Sequence, residues 1–229
     1  MSCTSFRWPL LVVAVALFVA GCGSTGAVSS PEADDPSGDT ADLEALYWAR
    51  QDSARSNYTA ADVRFMTMMI KHHAQALVMS QLAPKNGASP QIQTLAARII
   101  NAQRDEINTM QRWLRSRSEP VPEVVIDGTA LTVDGMSVHG MDMAGVLTQA
   151  QINELATARG STFDRLFLTY MIEHHRGATA MVDTLFSKDG AAQDEASFKL
   201  ASDINADQTT EIERMRLMLQ ALPDAETDS

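Results

Sequence analysis

Apolar residues recur with the period of an α-helix along most of the chain between residues 59 and 221. Positions i, i+4, i+7, i+11 and i+14 share one stripe of a helix. One such stripe holds Phe65, Met69, His72, Ala76 and Met79. No segment shows the sustained alternation of apolar and polar residues that is typical of a half-buried strand. The pattern therefore predicts an all-α protein.

The same stripe occurs a second time, 102 residues further along the chain. Nine of eighteen positions are identical between residues 62–79 and 164–181. The second stripe has the same residue type at all five positions: Phe167, Met171, His174, Ala178 and Met181. A self-match of this kind predicts an internal duplication.

Each copy is followed by a further helical segment with a shared motif. Gln103-x-x-Glu106-Ile-x-x-Met110 is answered by Gln208-x-x-Glu211-Ile-x-x-Met215. Helix-breaking residues separate the two segments of each copy. Each copy is thus predicted to be a helical hairpin, and two hairpins make a four-helix bundle.

Capping signals and breakers predict the boundaries of these elements. Thr59–Asp62 and Ser161–Asp164 both fit a capping box at a helix start. The predicted domain covers residues 42–222 and opens with a weak helix over Leu43–Ala54. The domain comprises repeat 1 (about 59–117), a crossover (118–160) and repeat 2 (about 161–221). A tail (223–229) follows the domain. The long crossover closes with a short helix from Thr148 to about Ala158, with a Thr148–Gln151 box and an end at Gly160.

The first 21 residues are predicted to be an export signal. They contain Arg7, then an apolar run from Pro9 to Ala20 that is too short to span a bilayer, and a small-residue approach to Cys22. This pattern favours a bacterial lipoprotein signal with lipidation at Cys22, over an ordinary cleavage site with an incidental cysteine. Residues 22–41 are rich in Ser, Gly, Pro and acidic residues and are predicted to be a flexible spacer. We therefore expect an exported lipoprotein of the cell envelope, held at the membrane by acyl chains.

Charge and cysteine content narrow the possible partners and ligands. The formal net charge of −11 argues against nucleic acid, which binds clustered Lys and Arg. The two cysteines are Cys3, inside the predicted signal, and Cys22, so none remains for a disulfide or a thiolate site. A metal site in the mature chain would have to use His, Met, carboxylate or backbone groups.

The five histidines lie in only three places, two adjacent pairs and one Met-flanked loop position. Buried imidazoles need partners for both nitrogens, so this concentration favours ligation over core packing. For the methionines alone, core packing is the more common role. Imidazole and thioether without thiolate suit copper, the reduced ion in particular. The candidate metal ligands are His72, His73, His174, His175, Met69, Met79, Met171, Met181, His139, Met141 and Met143.

Three of these candidates belong to the crossover. Residues two apart in an extended loop project to one side, which predicts that His139, Met141 and Met143 converge on one ion. The alternative is a flexible connector with incidental methionines. On the helices, the residues Gln103, Glu106, Gln208 and Glu211 are candidates for orienting the histidines by hydrogen bonds. A polar exposed face is the alternative for these four.

The two motifs resemble the bacterial family called domain of unknown function 305. Its hallmark helix reads Asp-x-x-Phe-x-x-x-Met-Ile-x-His-His-x-x-Ala-x-x-Met, which fits residues 62–79 and 164–181. The Gln-x-x-Glu-Ile-x-x-Met segments and the His139-Gly-Met141 loop resemble it too. The resemblance implies an exported, ferritin-like helical bundle, with copper binding and resistance in some members and no settled enzymatic activity.

We therefore expect a copper-binding protein of metal homeostasis or resistance. Two alternatives remain open: a helical interaction module that binds no metal, and a ferritin-like metal-dependent oxidase. The sequence contains no Glu-x-x-His, the pairing that carries carboxylate-bridged iron in four-helix bundles.

Overall fold

The computed structural model describes residues 36–223. The chain divides after Asp42, and the compact unit that contains the long helices from α2 onward begins at Leu43. The predicted export signal, Cys22 and nearly all of the predicted tail lie outside the described residues. No helix in the described range is both long enough and apolar enough to cross a bilayer.

The described part of the chain is mainly helical and contains one small sheet. In chain order its elements are α1 (Pro36–Ser56), α2 (Ala60–Gln81), α3 (Pro90–Ser116), β1 (Val124–Asp127), β2 (Ala130–Val133), β3 (Met136–Ser137), α4 (Gln149–Thr157), α5 (Gly160–Phe186) and α6 (Glu195–Ala221). Helix α1 begins before the predicted stretch and includes residues 36–41 of the predicted spacer, with proline at its favoured first position.

The four long helices form the predicted bundle. Helix α2 packs along α3, α5 packs along α6, and the two hairpins meet through α2 and α5. His72 of α2 lies against His174 of α5, and residues that precede His72 line one cleft together with residues that follow His174, so these two helices are antiparallel. The prediction of an all-α four-helix bundle with a long crossover is confirmed.

Two aspartates connect the hairpins to each other. At the start of α2 the predicted Thr59–Asp62 capping box is present, and Asp62 Oδ1 also accepts from Ala192 N at 2.8 Å, in the α5–α6 turn. The predicted Ser161–Asp164 box is wrong, because α5 begins at Gly160. The Asp164 carboxylate instead accepts from Ser89 N at 3.1 Å, just before α3. Each aspartate therefore caps a turn of the opposite hairpin.

The crossover differs from the prediction by containing an antiparallel sheet in the order β1-β2-β3. Its strands are too short to show alternation over several residues. An Asp-Gly dipeptide occurs at each of its turns: Gly128 follows Asp127, the last residue of β1, and has φ +60°, and Asp134 and Gly135 have φ of +53° and +76°. Asp-Gly is a strong hairpin signal, so the sequence contained a cue for this sheet. The Thr148–Gln151 box and helix α4 are as predicted, whereas Gly160 begins α5 and does not end α4.

The buried apolar side chains form two clusters. The first contains Met79, Ile99, Phe167 and Met171 and includes crossover residues such as Leu131. The second cluster contains side chains near the other ends of the long helices: Phe65, Met69, Met110, Val182 and Ile204. The polar residues described next lie at the level where the two clusters meet.

Candidate metal centre

The four paired histidines lie together in the middle of the bundle. The rings of His72 on α2 and His174 on α5 have centroids 3.8 Å apart at an interplanar angle of 37°. His73 and His175 follow on the flanks of the same helices, with centroids 6.3 Å from their neighbours. All four residues have 0% exposure. The two stripes therefore bring His72 and His174 together across a common core.

Each long helix contributes two polar residues to this level of the bundle. We call the set the histidine layer: His72, His73, Gln103, Glu106, His174, His175, Gln208 and Glu211. The first hydrophobic cluster lies on one side of the histidine layer and the second on the other.

The outer histidine of each pair contacts a glutamate on the neighbouring helix. His73 Nε2 lies 2.6 Å from Glu106 Oε2, and His175 Nε2 lies 2.7 Å from Glu211 Oε2. An ionised carboxylate only accepts hydrogen bonds, so in both rings Nε2 donates its proton to the glutamate. The Nδ1 of each ring has no partner within the described residues.

The inner histidines are kept neutral by burial. Burial, with His73 next in effect, lowers the pKa of His72 to about 3. Burial and the neighbouring His72 hold the pKa of His174 well below its usual value of 6.5. A neutral imidazole is the form that binds metal ions. His72 Nε2 donates to Ala144 O at 3.1 Å, while His72 Nδ1 and both nitrogens of His174 have no partner in the described chain.

Two glycines place the Ala144 carbonyl against His72. A Cβ on Gly177 of α5 would lie 2.0 Å from Ala144 O and 2.7 Å from Gly145 Cα. Gly145 has φ +75°, and a Cβ there would lie 2.6 Å from Glu173 O. Because neither residue has a side chain, the crossover backbone rests directly on α5. This close contact orients His72 from a loop 72 residues away in the sequence.

The two glutamines of the histidine layer, unlike the two glutamates, make no hydrogen bond to a histidine. Gln103 and Gln208 are 1% and 2% exposed. Both amide atoms of Gln103 and the Oε1 of Gln208 have no partner in the described chain, so the predicted glutamine–histidine hydrogen bonds are missing. The predicted exposed face is also wrong for them. Nearby, burial and the charges of Glu106 and Glu211 raise the pKa of Asp207.

The methionines of the two stripes lie in the hydrophobic clusters. Met69 belongs to the second cluster, and Met79 and Met171 belong to the first. Each of these three is 0% exposed, whereas Met181 is partly exposed beside the second cluster. The surroundings of Met69, Met79 and Met171 fit the core-packing interpretation.

The crossover loop does not have the predicted extended form. Gly140 has φ +78°, and Met141 N and Met143 N donate to Val138 O and Met141 O in consecutive turns. Alternate side chains of such a loop do not share one side, so the geometric basis for a site at His139, Met141 and Met143 is wrong.

His139 already has a hydrogen-bond partner for each ring nitrogen. Its Nδ1 accepts from Gln75 Nε2 at 2.8 Å, and its Nε2 donates to Thr129 O at 2.8 Å. The Gln75 amide also exchanges two bonds with the Leu147 backbone. His139 therefore joins the crossover to α2 through hydrogen bonds that a metal would have to replace.

The histidine layer has suitable donors but is not a closed metal site. Among the described residues, no three His, Cys, Asp or Glu side chains surround a common point that could hold an ion. A structural zinc site needs four such ligands, so the arrangement does not fit zinc as it stands. Imidazoles oriented by carboxylate or carbonyl acceptors match the usual surroundings of ligating histidines.

Sequence reasoning did not find the backbone contact at Ala144 or the role of Gly177. A glycine inside a helical pattern is a signal for close backbone approach and was available at residue 177. The structural role of Gln75 had no comparable signal, because its partners are brought near only by the crossover.

Known proteins of the same fold include copper-bound ones. A DUF305 protein from Streptomyces coelicolor, described as a candidate secreted protein, has 26% identity and a TM-score of 0.58 over 72% of this chain and 94% of its own. A DUF305 fragment from Deinococcus radiodurans has 27% identity and a TM-score of 0.59 over 72% and 99%.

CopM in its Cu(II)-bound form has 31% identity and a TM-score of 0.54 over 69% of this chain and 95% of its own. CopM is also known in Cu(I)-bound and Ag-bound forms. No curated protein matches the chain.

The family model for the domain of unknown function (DUF305) matches residues 62–219, which include both hairpins and the crossover. The chain therefore belongs to the DUF305 family.

Proposed function

We propose that this protein binds copper in the histidine layer, outside the cytoplasm, as part of metal homeostasis or resistance. The observation that carries the proposal is the hydrogen bonding of the four buried imidazoles. Three have Nε2 engaged by an acceptor, and five ring nitrogens have no partner among the described residues. Leaving buried polar atoms unpaired costs about 1–3 kcal/mol each, which favours a ligand at this level of the bundle.

The choice of copper rests on ligand chemistry. His72, His73, His174 and His175 supply the imidazole nitrogens, and the described chain contributes no thiolate. Imidazole sites suit copper, and thioether sulfur favours its reduced ion. The copper- and silver-bound forms of CopM support this choice.

Bound copper would supply Lewis acidity and redox activity at the centre of the bundle, while the protein's residues bind and orient it. Glu106 and Glu211 hold the outer rings, the Ala144 carbonyl holds His72, and the two hydrophobic clusters exclude water on both sides.

The test is a double substitution, His72→Leu with His174→Leu, measured by melting temperature with and without cuprous ion under a competing chelator. We expect the variant to fold, since leucine keeps apolar contacts and needs no hydrogen-bond partner. Copper-dependent stabilisation should disappear and affinity should fall by roughly tenfold or more, about 1.4 kcal/mol or more.

Gln103→Leu with Gln208→Leu is the matched control, because it removes two buried polar side chains from the histidine layer and no imidazole. Copper-dependent stabilisation that is the same in the histidine variant as in the wild type would refute the proposal. No uptake by the wild type would favour the interaction module, and steady oxygen consumption by the copper-loaded protein would favour the oxidase.

We also propose that the protein is exported and attached to the membrane by lipid on Cys22. This part rests on the sequence pattern around residues 9–22. A family relative described as a candidate secreted protein supports export.

A further inference from the structure

A cleft opens beside the histidine layer between the antiparallel helices α2 and α5. It has a volume of about 280 Å³, and the crossover residues 142–144 form part of its lining. Three methionines from three different elements line it: Met68 on α2, Met143 in the crossover and Met181 on α5. All three are partly exposed, unlike the fully buried Met69, Met79 and Met171.

The residues that line the cleft favour soft cations over hard ones. Its walls are mostly apolar, and its charged lining residues are Arg64, Lys188 and Asp142, two cations and one carboxylate. A hydrated hard dication would gain little from such a lining, because it needs several oxygen ligands. Thioether sulfur is a soft ligand that prefers cuprous ion and similar soft ions.

Two of the methionines that line the cleft are close in sequence to residues that form or contact the histidine layer. Met68 precedes His72 by four residues, one helical turn, and therefore lies on the same side of α2. Met143 precedes Ala144, which lines the cleft and whose carbonyl accepts from His72 Nε2. Met68 is thus one helical turn from His72, and Met143 is adjacent to the residue whose carbonyl His72 contacts.

We propose that Met68, Met143 and Met181 form a surface docking site for a soft monovalent cation, and that the ion is held there before it reaches the histidine layer. The docking site stands on the cleft alone, and only its role as the entry to the histidine layer rests on the proposed function. Met68 has no counterpart in the second repeat, where Tyr170 occupies the equivalent position, so the site belongs to one face of the bundle.

The first test needs no substitution. Silver ion is used as a redox-inert probe, and methionine oxidation by dilute peroxide is followed by mass spectrometry with and without it. Coordinated thioethers should resist oxidation, so sulfoxide formation at Met68, Met143 and Met181 should fall roughly tenfold. Met136 and Met218, which are exposed or partly exposed outside the cleft, are the internal controls and should not change. Equal oxidation of the cleft methionines with and without silver would overturn the docking site.

The second test measures the rate of copper uptake. The triple variant Met68→Leu, Met143→Leu, Met181→Leu keeps side-chain volume, and such swaps usually cost below about 1.5 kcal/mol of stability. Transfer of cuprous ion from a coloured chelator should slow roughly tenfold, while the final copper-dependent stabilisation stays within about twofold in affinity. Met136→Leu with Met218→Leu is the matched control and should load at the wild-type rate.

The outcomes separate the two proposals. Unchanged loading by the triple variant, with normal binding at the histidine layer, refutes the entry role only. Loss of copper binding in the His72 and His174 variant, with silver protection of the cleft retained, supports both sites. Silver protection in a protein that takes up no copper at the histidine layer supports the docking site and refutes the proposed function.

Discussion

At the scale of single residues, the two histidines of each pair have different surroundings. His73 and His175 each face a glutamate, whereas His72 faces a backbone carbonyl and His174 has no hydrogen-bond partner within the described residues. The inner rings are also in contact with each other, and the proximity of His72 adds to the effect of burial on the pKa of His174. The inner pair therefore resists protonation.

This resistance predicts how the stability of the metal-free protein depends on pH. The ordinary pKa is 6.5 in the unfolded chain, whereas folded His72 has a pKa of about 3. Between these values the unfolded state binds more protons. Stability is therefore full above the ordinary pKa and falls with decreasing pH, by about 1.4 kcal/mol per pH unit for each such histidine.

Urea denaturation of the metal-free protein from about pH 8 to about pH 5 measures this slope. The His72→Leu, His174→Leu variant should lose most of it, while His139, whose pKa is also lowered by burial, remains in both proteins. An equally steep fall in the variant would contradict the assignment of the slope to the inner pair.

At the scale of elements, helix α5 contains a glycine in its interior, which costs about 1 kcal/mol relative to alanine. The crossover backbone occupies the space that a side chain on Gly177 would fill. The same contact sets the position of Ala144, and through it the orientation of His72. The glycine thus lowers the helix propensity of α5 but permits the contact between the crossover and α5.

Gly177→Ala should therefore destabilise the protein despite its better helix propensity. The crossover must move away from α5, and overpacking of this kind typically costs about 1–3 kcal/mol. Copper affinity should fall as well, because His72 loses the acceptor that orients it. Asp183→Ala, an exposed substitution on the same helix, is the control. Denaturation and copper titration measure both effects, and a Gly177→Ala protein as stable as the wild type would show that the close contact is not required.

At the scale of the whole domain, the two hydrophobic clusters hold the bundle together on either side of the histidine layer. The reciprocal contacts of Asp62 with Ala192 and of Asp164 with Ser89 join the hairpins near the ends of the long helices. Stability is thereby supplied away from the middle of the bundle. A polar layer with unpartnered atoms is tolerated there because the apolar contacts on both sides compensate for it.

The proposed anchor predicts where the whole protein is found in the cell. Cys22→Ala should release the domain in soluble form or leave the export signal uncleaved, since the acyl chains, and not a spanning helix, hold it. Cys3→Ala, inside the predicted signal, is the control and should leave membrane attachment unchanged. Membrane fractionation with a high-salt wash and immunoblotting measures the result. Equal retention of the Cys22→Ala protein would contradict lipidation.

The sequence by itself determined the local features of this protein. The 3.6-residue period placed His72 and His174 on inward stripes, and the Thr59 and Thr148 boxes marked two helix starts, because these signals depend on residues within a few positions of each other. The inner histidines therefore came together once the hairpins packed.

The tertiary structure alone decided the contacts between distant segments. In the tertiary structure the Asp164 carboxylate accepts a hydrogen bond from the turn before α3, and both ring nitrogens of His139 have hydrogen-bond partners. The Ala144 carbonyl contacts His72. The tertiary structure also separated the buried stripe methionines from the three that line a cleft. The physical reason is that a hydrogen bond or a close backbone contact depends on the path of the crossover, and helical periodicity carries no information about that path.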